Sequence, residues 1–265
     1  MPGHKERLDK VLVERGLVAT RAKARGLIMA GEVMVDGEQV DKAGTAVSPT
    51  ADIQLKSPMP YVGRGGYKLA GALQEFGLDV SGRICADVGA CTGGFTDVLL
   101  QNGAAKVYAI DVGYGQLDWK LRQHERVVVM ERTNARTVES LPELVNFVAI
   151  DVSFISLKLI LPAVRNWLTA EADVVALIKP QFEAGPEQVG KGGIVRQPAV
   201  RRQVLRDLLS WAEVHQWQPL EVIRSPIEGA DGNVEYFVWL QSGKGGGEKD
   251  WAAVIEQLIR QPPGG

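Results

Sequence analysis

Apolar residues along this chain repeat in two different ways, and the change falls near residue 60. In "RLDKVLVERGLVATRAKARGLIMAGEVMVDGEQVDKAGTAVSPTADIQL", Leu8, Val11 and Leu12 share one helical face, which Gly16 ends. Thr20 is placed to cap a second helix that stops at Gly31. "EVMVDGEQV" then alternates about Asp36-Gly37, the pattern of a two-residue hairpin. Two short helices followed by three very short strands are expected, and the Pro- and Gly-rich "SPMPYVGRGG" ends the unit as a linker.

From Lys68 onwards, strand-like apolar runs alternate with helical patterns: "RICADV", "KVYAID", "RVVVME", "FVAIDV", "DVVALIK", "QPLEVIRSP" and "NVEYFVWL". Such alternation predicts an α/β fold, a mostly parallel sheet with helices on both faces and ligands at the carboxyl ends of its strands. The last two runs leave no room for a helix between them. They read as an antiparallel pair joined by "IEGADG", so the expected sheet is five parallel strands plus a reversed hairpin edge. "EKDWAAVIEQLIRQ" reads as a closing amphipathic helix and "SGKGGG" as low complexity. The chain divides on this reading into a domain at 1–58, a linker at 59–66, a larger domain at 67–245, and a helix and tail at 246–265.

Composition narrows the function classes. With 265 residues and 45% hydrophobic content the chain can bury a substantial core. No apolar run reaches the roughly 20 residues that span a bilayer, and the start is charged where a signal peptide would be apolar, so a soluble cytoplasmic protein is expected. Cys85 and Cys91 form neither a disulfide framework nor a ligand set, and no metal is expected. A net charge of −2 excludes nucleic-acid binding through bulk positive charge and leaves local patches. One stands out: Arg15, Arg21, Lys23 and Arg25 lie between Glu14 and Glu32 with no acid among them, either a solvated helix face or a phosphate-binding one.

The candidate chemistry starts at "DVGACTGGF". Asp87 ends a strand, Gly89, Gly93 and Gly94 follow, and "GFTDVLLQNG" opens a helix whose first amides face the ligand crevice. Asp111, at the tip of the next strand, is placed to accept both hydroxyls of a ribose. The spacing is not the dinucleotide fingerprint, and an acid just before the glycines would repel a pyrophosphate. Asp87 therefore suits a cationic ligand that keeps a ribose, and S-adenosylmethionine fits; the alternative is that Asp87 only holds the following helix. Asn134 in "MERTNAR" is the adenine-side candidate. Thr92 and Phe95 complete the expected cofactor set.

"DVGACTGGFTDVLLQNGAAKVYAIDVGYGQLDWKLR", "MERTNAR", "AIDVSFISL" and "ALIKPQFE" together resemble the hemolysin A or TlyA family, with similarity from about Arg7 to Trp239. That resemblance implies an FtsJ-like methyltransferase with a Rossmann-like fold, preceded by an RNA-binding domain similar to that of ribosomal protein S-four. It implies 2′-O-methylation of cytidines in ribosomal RNA or ribosomal subunits by S-adenosylmethionine. It also brings a lytic activity, for which the chain has no membrane-seeking segment, and it leaves methylation of another substrate as the other reading. Cys91 departs from the serine usual in the family. The FtsJ-like Lys-Asp-Lys-Glu set maps onto Lys68, Asp151, Lys179 and Glu235, with Lys179 nearest the 2′ hydroxyl as base or oxyanion stabiliser, Asp151 orienting it, and Lys68 and Glu235 tuning its charge. Asp151 and Lys179 also end apolar strands at the carboxyl edge, where charges need partners. The resemblance turns Arg7, Arg21, Lys23 and Arg25 into expected phosphate contacts. Lys191 and Arg196, in the glycine- and proline-rich "EAGPEQVGKGGIVR", are expected to hold RNA phosphates from a substrate-side loop, and Phe182 either stacks a nucleoside or packs beneath that loop. Oligomeric state is left open by the sequence.

Overall fold

Residues 1–60 fold as one unit and 61–265 as another in the computed structural model, which describes residues 5–29, 31–55, 60–229, 232–243 and 249–260. Part of the linker, the tip of the "IEGADG" turn, most of "SGKGGG" and the C-terminal tail fall outside the described residues.

The first unit runs β1 (Glu6–Arg7), α1 (Leu8–Glu14), α2 (Arg21–Met29), β2 (Val33–Val35), β3 (Glu38–Gln39), β4 (Ala46–Val47) and β5 (Ile53–Leu55). Leu8, Leu12, Ile28 and Val33 are fully buried and join the two helices to the sheet. Thr20 Oγ1 accepts from the Lys23 amide at 3.2 Å and starts α2. The hairpin turns where expected: Asp36 and Gly37 take φ of 51° and 83°, and Val35 pairs with Glu38. The strand count differs from expectation. Besides the sheet β3-β2-β5, β1 and β4 pair antiparallel in a second ladder, each only two residues long and so too short to show an alternation.

The second unit runs α3 (Gly65–Phe76), β6 (Ile84–Val88), α4 (Gly94–Gln101), β7 (Lys106–Ile110), α5 (Trp119–Arg122), β8 (Val127–Met130), β9 (Val145–Ile150), α6 (Leu157–Arg165), β10 (Leu168–Ile178), α7 (Pro180–Glu183), α8 (Pro198–Val214), β11 (Trp217–Arg224), β12 (Tyr236–Ser242) and α9 (Trp251–Arg260). Its sheet has the order β11-β12-β10-β9-β6-β7-β8, the expected five parallel strands with an antiparallel hairpin on one edge. The unbroken apolar runs are explained by burial on both faces, with separate cores around Trp167 and Phe147. From β6 the chain winds outward through β7 and β8, then crosses back to β9 on the other side. The order reverses between β6 and β9, and that reversal opens a crevice at their carboxyl ends.

Candidate functional site

That crevice is a cavity of about 430 Å³ whose lining includes Gly89, Cys91, Asp111, Gln116, Asn134, Arg136, Asp151, Ser153 and Phe154. Of the expected cofactor residues, Gly89, Asp111 and Asn134 line it, whereas Asp87, Thr92, Gly93, Gly94 and Phe95 do not. Gly89 has φ +88°, and a Cβ there would collide with the Asp151 carbonyl, so only glycine lets β6 and β9 close on each other at this point. Asp111 ties the turn together, accepting from the Cys91 amide at 2.8 Å and the Gly113 amide at 2.6 Å. Asn134 Oδ1 accepts from the Arg136 amide at 3.1 Å. Phe95 packs against Phe237 beneath the turn, with ring centroids 6.2 Å apart.

Asp87 is fully buried, and its Oδ2 accepts from both the amide and the hydroxyl of Thr96, at 2.8 and 2.6 Å. These contacts fasten β6 to α4, the role ranked second from sequence. The other oxygen, Oδ1, has no hydrogen-bond partner among the described residues. Burial pushes the Asp87 carboxyl up to about 7; the Thr96 bonds oppose the shift, and the charges of Asp151 and Asp111 add to it.

The four expected catalytic residues assemble as two ion pairs. Lys68, on α3, places Nζ 2.6 Å from Glu235 Oε2, and both are buried, at 9% and 3% exposure. Lys179 Nζ lies 2.6 Å from Asp151 Oδ1, a close ion pair without the alignment of a directed hydrogen bond, and donates to Ser153 Oγ at 3.0 Å. Topology explains the convergence. Ile178 pairs with Tyr236, so Lys179 and Glu235 lie one step beyond the last rung of the β10-β12 ladder. Ile150 pairs with Val88 and Ala176, which brings Asp151 to the same carboxyl edge.

In the first unit, Arg7, Arg21 and Arg25 converge on one fully buried carboxylate, Asp9. Arg7 Nε reaches Oδ1 at 3.0 Å, and Arg21 Nη2 and Arg25 Nε reach Oδ2 at 2.9 and 3.1 Å. The bond from Arg7, joined by those from Arg21 and Arg25, holds the Asp9 carboxyl well below the usual carboxylate range against the opposing effect of burial. All three arginine side chains remain about half exposed while Asp9 is buried, so the cluster presents net positive charge to solvent. Lys23, on α2 as well, is exposed. In the second unit Lys191 and Arg196 are exposed, and Arg196 Nη1 donates to the Lys191 carbonyl at 3.4 Å.

Sequence reasoning missed three residues around these groups. Ser153 is the hydroxyl partner of Lys179. Asn233 is buried, and its side chain accepts from the Val195 amide at 3.0 Å and donates to the Gly193 carbonyl at 2.9 Å, fastening the loop that carries Lys191 and Arg196. Glu183 accepts from Ser156 and Leu157. Only Asn233 left a signal, a polar residue between a turn and an apolar strand.

Residues 61–242 match the model for FtsJ-like methyltransferases, and residues 6–53 match the S4 domain. The chain is 49% identical over 240 residues to a Mycobacterium tuberculosis protein named 16S/23S rRNA (cytidine-2'-O)-methyltransferase TlyA, covering 89% of this chain and 90% of that one. It is 42% identical over 234 residues to the protein named Hemolysin A of Brachyspira hyodysenteriae, covering 87% and 98%. Among solved structures, a candidate hemolysin from Streptococcus thermophilus superposes with a TM-score of 0.74 at 44% identity, covering 97% of this chain and 94% of that one. The match over residues 61–242, with relatives 42–49% identical over most of the chain, shows that the chain belongs to the FtsJ-like methyltransferase family, among the relatives named TlyA and Hemolysin A.

Proposed function

We propose that the chain is an S-adenosylmethionine-dependent 2′-O-methyltransferase of ribosomal RNA acting on a cytidine ribose. The observation that carries this reading is the Lys179–Asp151 pair at the sheet edge, with Asp151 and Ser153 both in the cavity wall. The M. tuberculosis relative, named for cytidine 2′-O-methylation of rRNA, supports the choice of substrate.

The cavity suits a phosphate-free cationic ligand. Among the described residues its charged lining is Asp111, Asp151 and a single cation, Arg136, and the buried Asp87 beneath the turn has one oxygen without a partner. Asp111 would hold the ribose hydroxyls, Asn134 the adenine edge, and the backbone at Gly89 the approach of the ligand. S-adenosylmethionine, when bound, supplies a methyl group carried on a sulfonium.

The chain's own contribution is the handling of a proton. A ribose hydroxyl is a weak acid, so the site must stabilise the developing alkoxide or take its proton. Lys179 stands for that task, with Asp151 and Ser153 fixing its nitrogen from two sides. Lys68 and Glu235 form a buried neutral pair at the same edge and set the field around Lys179 without adding net charge. Arg7, Arg21, Lys23 and Arg25 on the S4 domain, with Lys191 and Arg196 on the substrate-side loop, hold RNA phosphates and leave the choice of nucleotide to the cleft. The test is incubation of ribosomal subunits with the purified protein and labelled S-adenosylmethionine, followed by mapping of 2′-O-methyl groups. Label at a cytidine ribose is expected. Unlabelled RNA together with intact cofactor binding would transfer the activity to another substrate.

A further inference from the structure

We propose that Glu183 is a positioning residue for the Lys179–Asp151 pair, clamping the loop that carries Asp151 to the turn that carries Lys179. The proposal rests on the reading of that pair as the proton-handling group.

Lys179 caps α7, and Glu183 is the last residue of that one-turn helix. The Phe182 amide donates to the Lys179 carbonyl at 2.9 Å and the Ala184 amide to the Pro180 carbonyl at 2.9 Å, so the lysine and the glutamate move as one short rigid piece. The Glu183 carboxylate crosses to the other loop, where it accepts from Ser156 Oγ at 2.6 Å and from the Leu157 amide at 2.7 Å. Helix α6 does not need this contact to begin, because Ser156 is its N-cap and already accepts from the Lys158 amide at 3.2 Å. What the contact adds is a bond between two loops.

Residues 151–156 need such a bond. Phe154, within this loop, has φ +62°, a conformation that costs a non-glycine residue free energy and persists only when its surroundings impose it. Asp151 and Ser153 are held from the Lys179 side, Phe154 packs at a tilt against Phe182 with centroids 4.9 Å apart, and Glu183 holds the far end. Burial raises the Glu183 proton affinity despite these two donors, as expected of a carboxylate partly withdrawn from water at the seam between two loops. Without Glu183 the end of the loop at Ser156 is freed, the strained turn can relax, and Asp151 drifts from the ammonium it orients.

The test compares Glu183→Ala and Glu183→Gln with the parent protein in methyl transfer to ribosomal subunits. Glutamine keeps the length and an acceptor for the Leu157 amide, and its amide can donate to the Ser156 hydroxyl. Expected for alanine is a kcat lower by about 10- to 100-fold with little change in KM for RNA, as misplacement of a reacting group produces. Glutamine should restore most of that loss. An alanine variant that turns over like the parent overturns the proposal, as does a glutamine variant no better than alanine. Amide hydrogen exchange reads the clamp without turnover and stays informative if ribosomal RNA is not the substrate. In Glu183→Ala faster exchange in both 151–157 and 179–184 supports the clamp, and faster exchange confined to the first turn of α6 reduces Glu183 to a helix cap and overturns it.

Discussion

Asp9 and Asp87 are both fully buried aspartates, one in each unit, and their surroundings pull them in opposite directions. Asp9 meets three guanidiniums and is held in its charged form well below the usual range. Asp87 meets one hydroxyl and one amide, with two further carboxylates nearby, and is pushed up to about 7. The difference separates two uses of buried charge. In the first unit one anion organises an excess of cations that still face solvent, which suits a polyanionic surface such as RNA. In the second unit Asp87 and Asp111, beside the cavity, have amide and hydroxyl partners but no paired cation among the described residues, which suits a cationic ligand.

The Lys68–Glu235 pair belongs to neither type, because its charges cancel in place. Glu235→Ala would leave the Lys68 ammonium buried without its partner, and this should be the largest stability loss in the molecule, about 3–5 kcal/mol. Denaturant unfolding checks it. Pairing the change with Lys68→Met should recover most of the stability and none of the methyl transfer.

On the RNA side, Lys23 and Asp9 can be played against each other. Lys23 makes no ion pair among the described residues, so Lys23→Gln should leave stability unchanged and reduce the salt dependence of RNA binding by about one unit of slope. Asp9→Asn should lower both, because the guanidiniums lose the anion that orders them. Binding titrations at several salt concentrations, beside hydrogen exchange in the first unit, separate the two.

The sharpest test of the contrast uses pH. Asp9 is depressed in the folded state, so its stabilising contribution is complete above the unfolded carboxylate value near about 4 and is lost only as pH falls below it. Asp87 is raised to about 7, so the folded chain holds a proton that the unfolded chain has released, and stability falls as pH rises from about 4 to 7. Native-state hydrogen exchange between about pH 5 and 8, read separately for the two units, should show Asp9→Asn less protected throughout. Asp87→Asn should remove the downward slope in the second unit. The same sign of effect in both variants would dissolve the distinction.

What sequence could and could not reveal follows the same division. The inner strands of the larger sheet were legible because strands buried on both faces are apolar throughout, and Asp111, Asp151 and Lys179 were legible because they stop such runs. Lys68 and Glu235, 167 positions apart, carry no local sign of each other, and only the family resemblance joined them. Asp9 drew no reading from the sequence, because two of its three partners, Arg21 and Arg25, lie 12 and 16 positions away. Asp87 was read as a ligand contact because the glycines beside it announce a ligand, whereas its hold on Thr96, nine positions on, depends on how β6 and α4 pack.

The central claim is that Lys179 handles the proton of a ribose hydroxyl, and the direct test is Lys179→Ala assayed on ribosomal subunits, with cofactor affinity measured separately by calorimetry. A fall in kcat of about 10²- to 10⁴-fold with unchanged cofactor binding is predicted. Methyl transfer at the parent rate would contradict it.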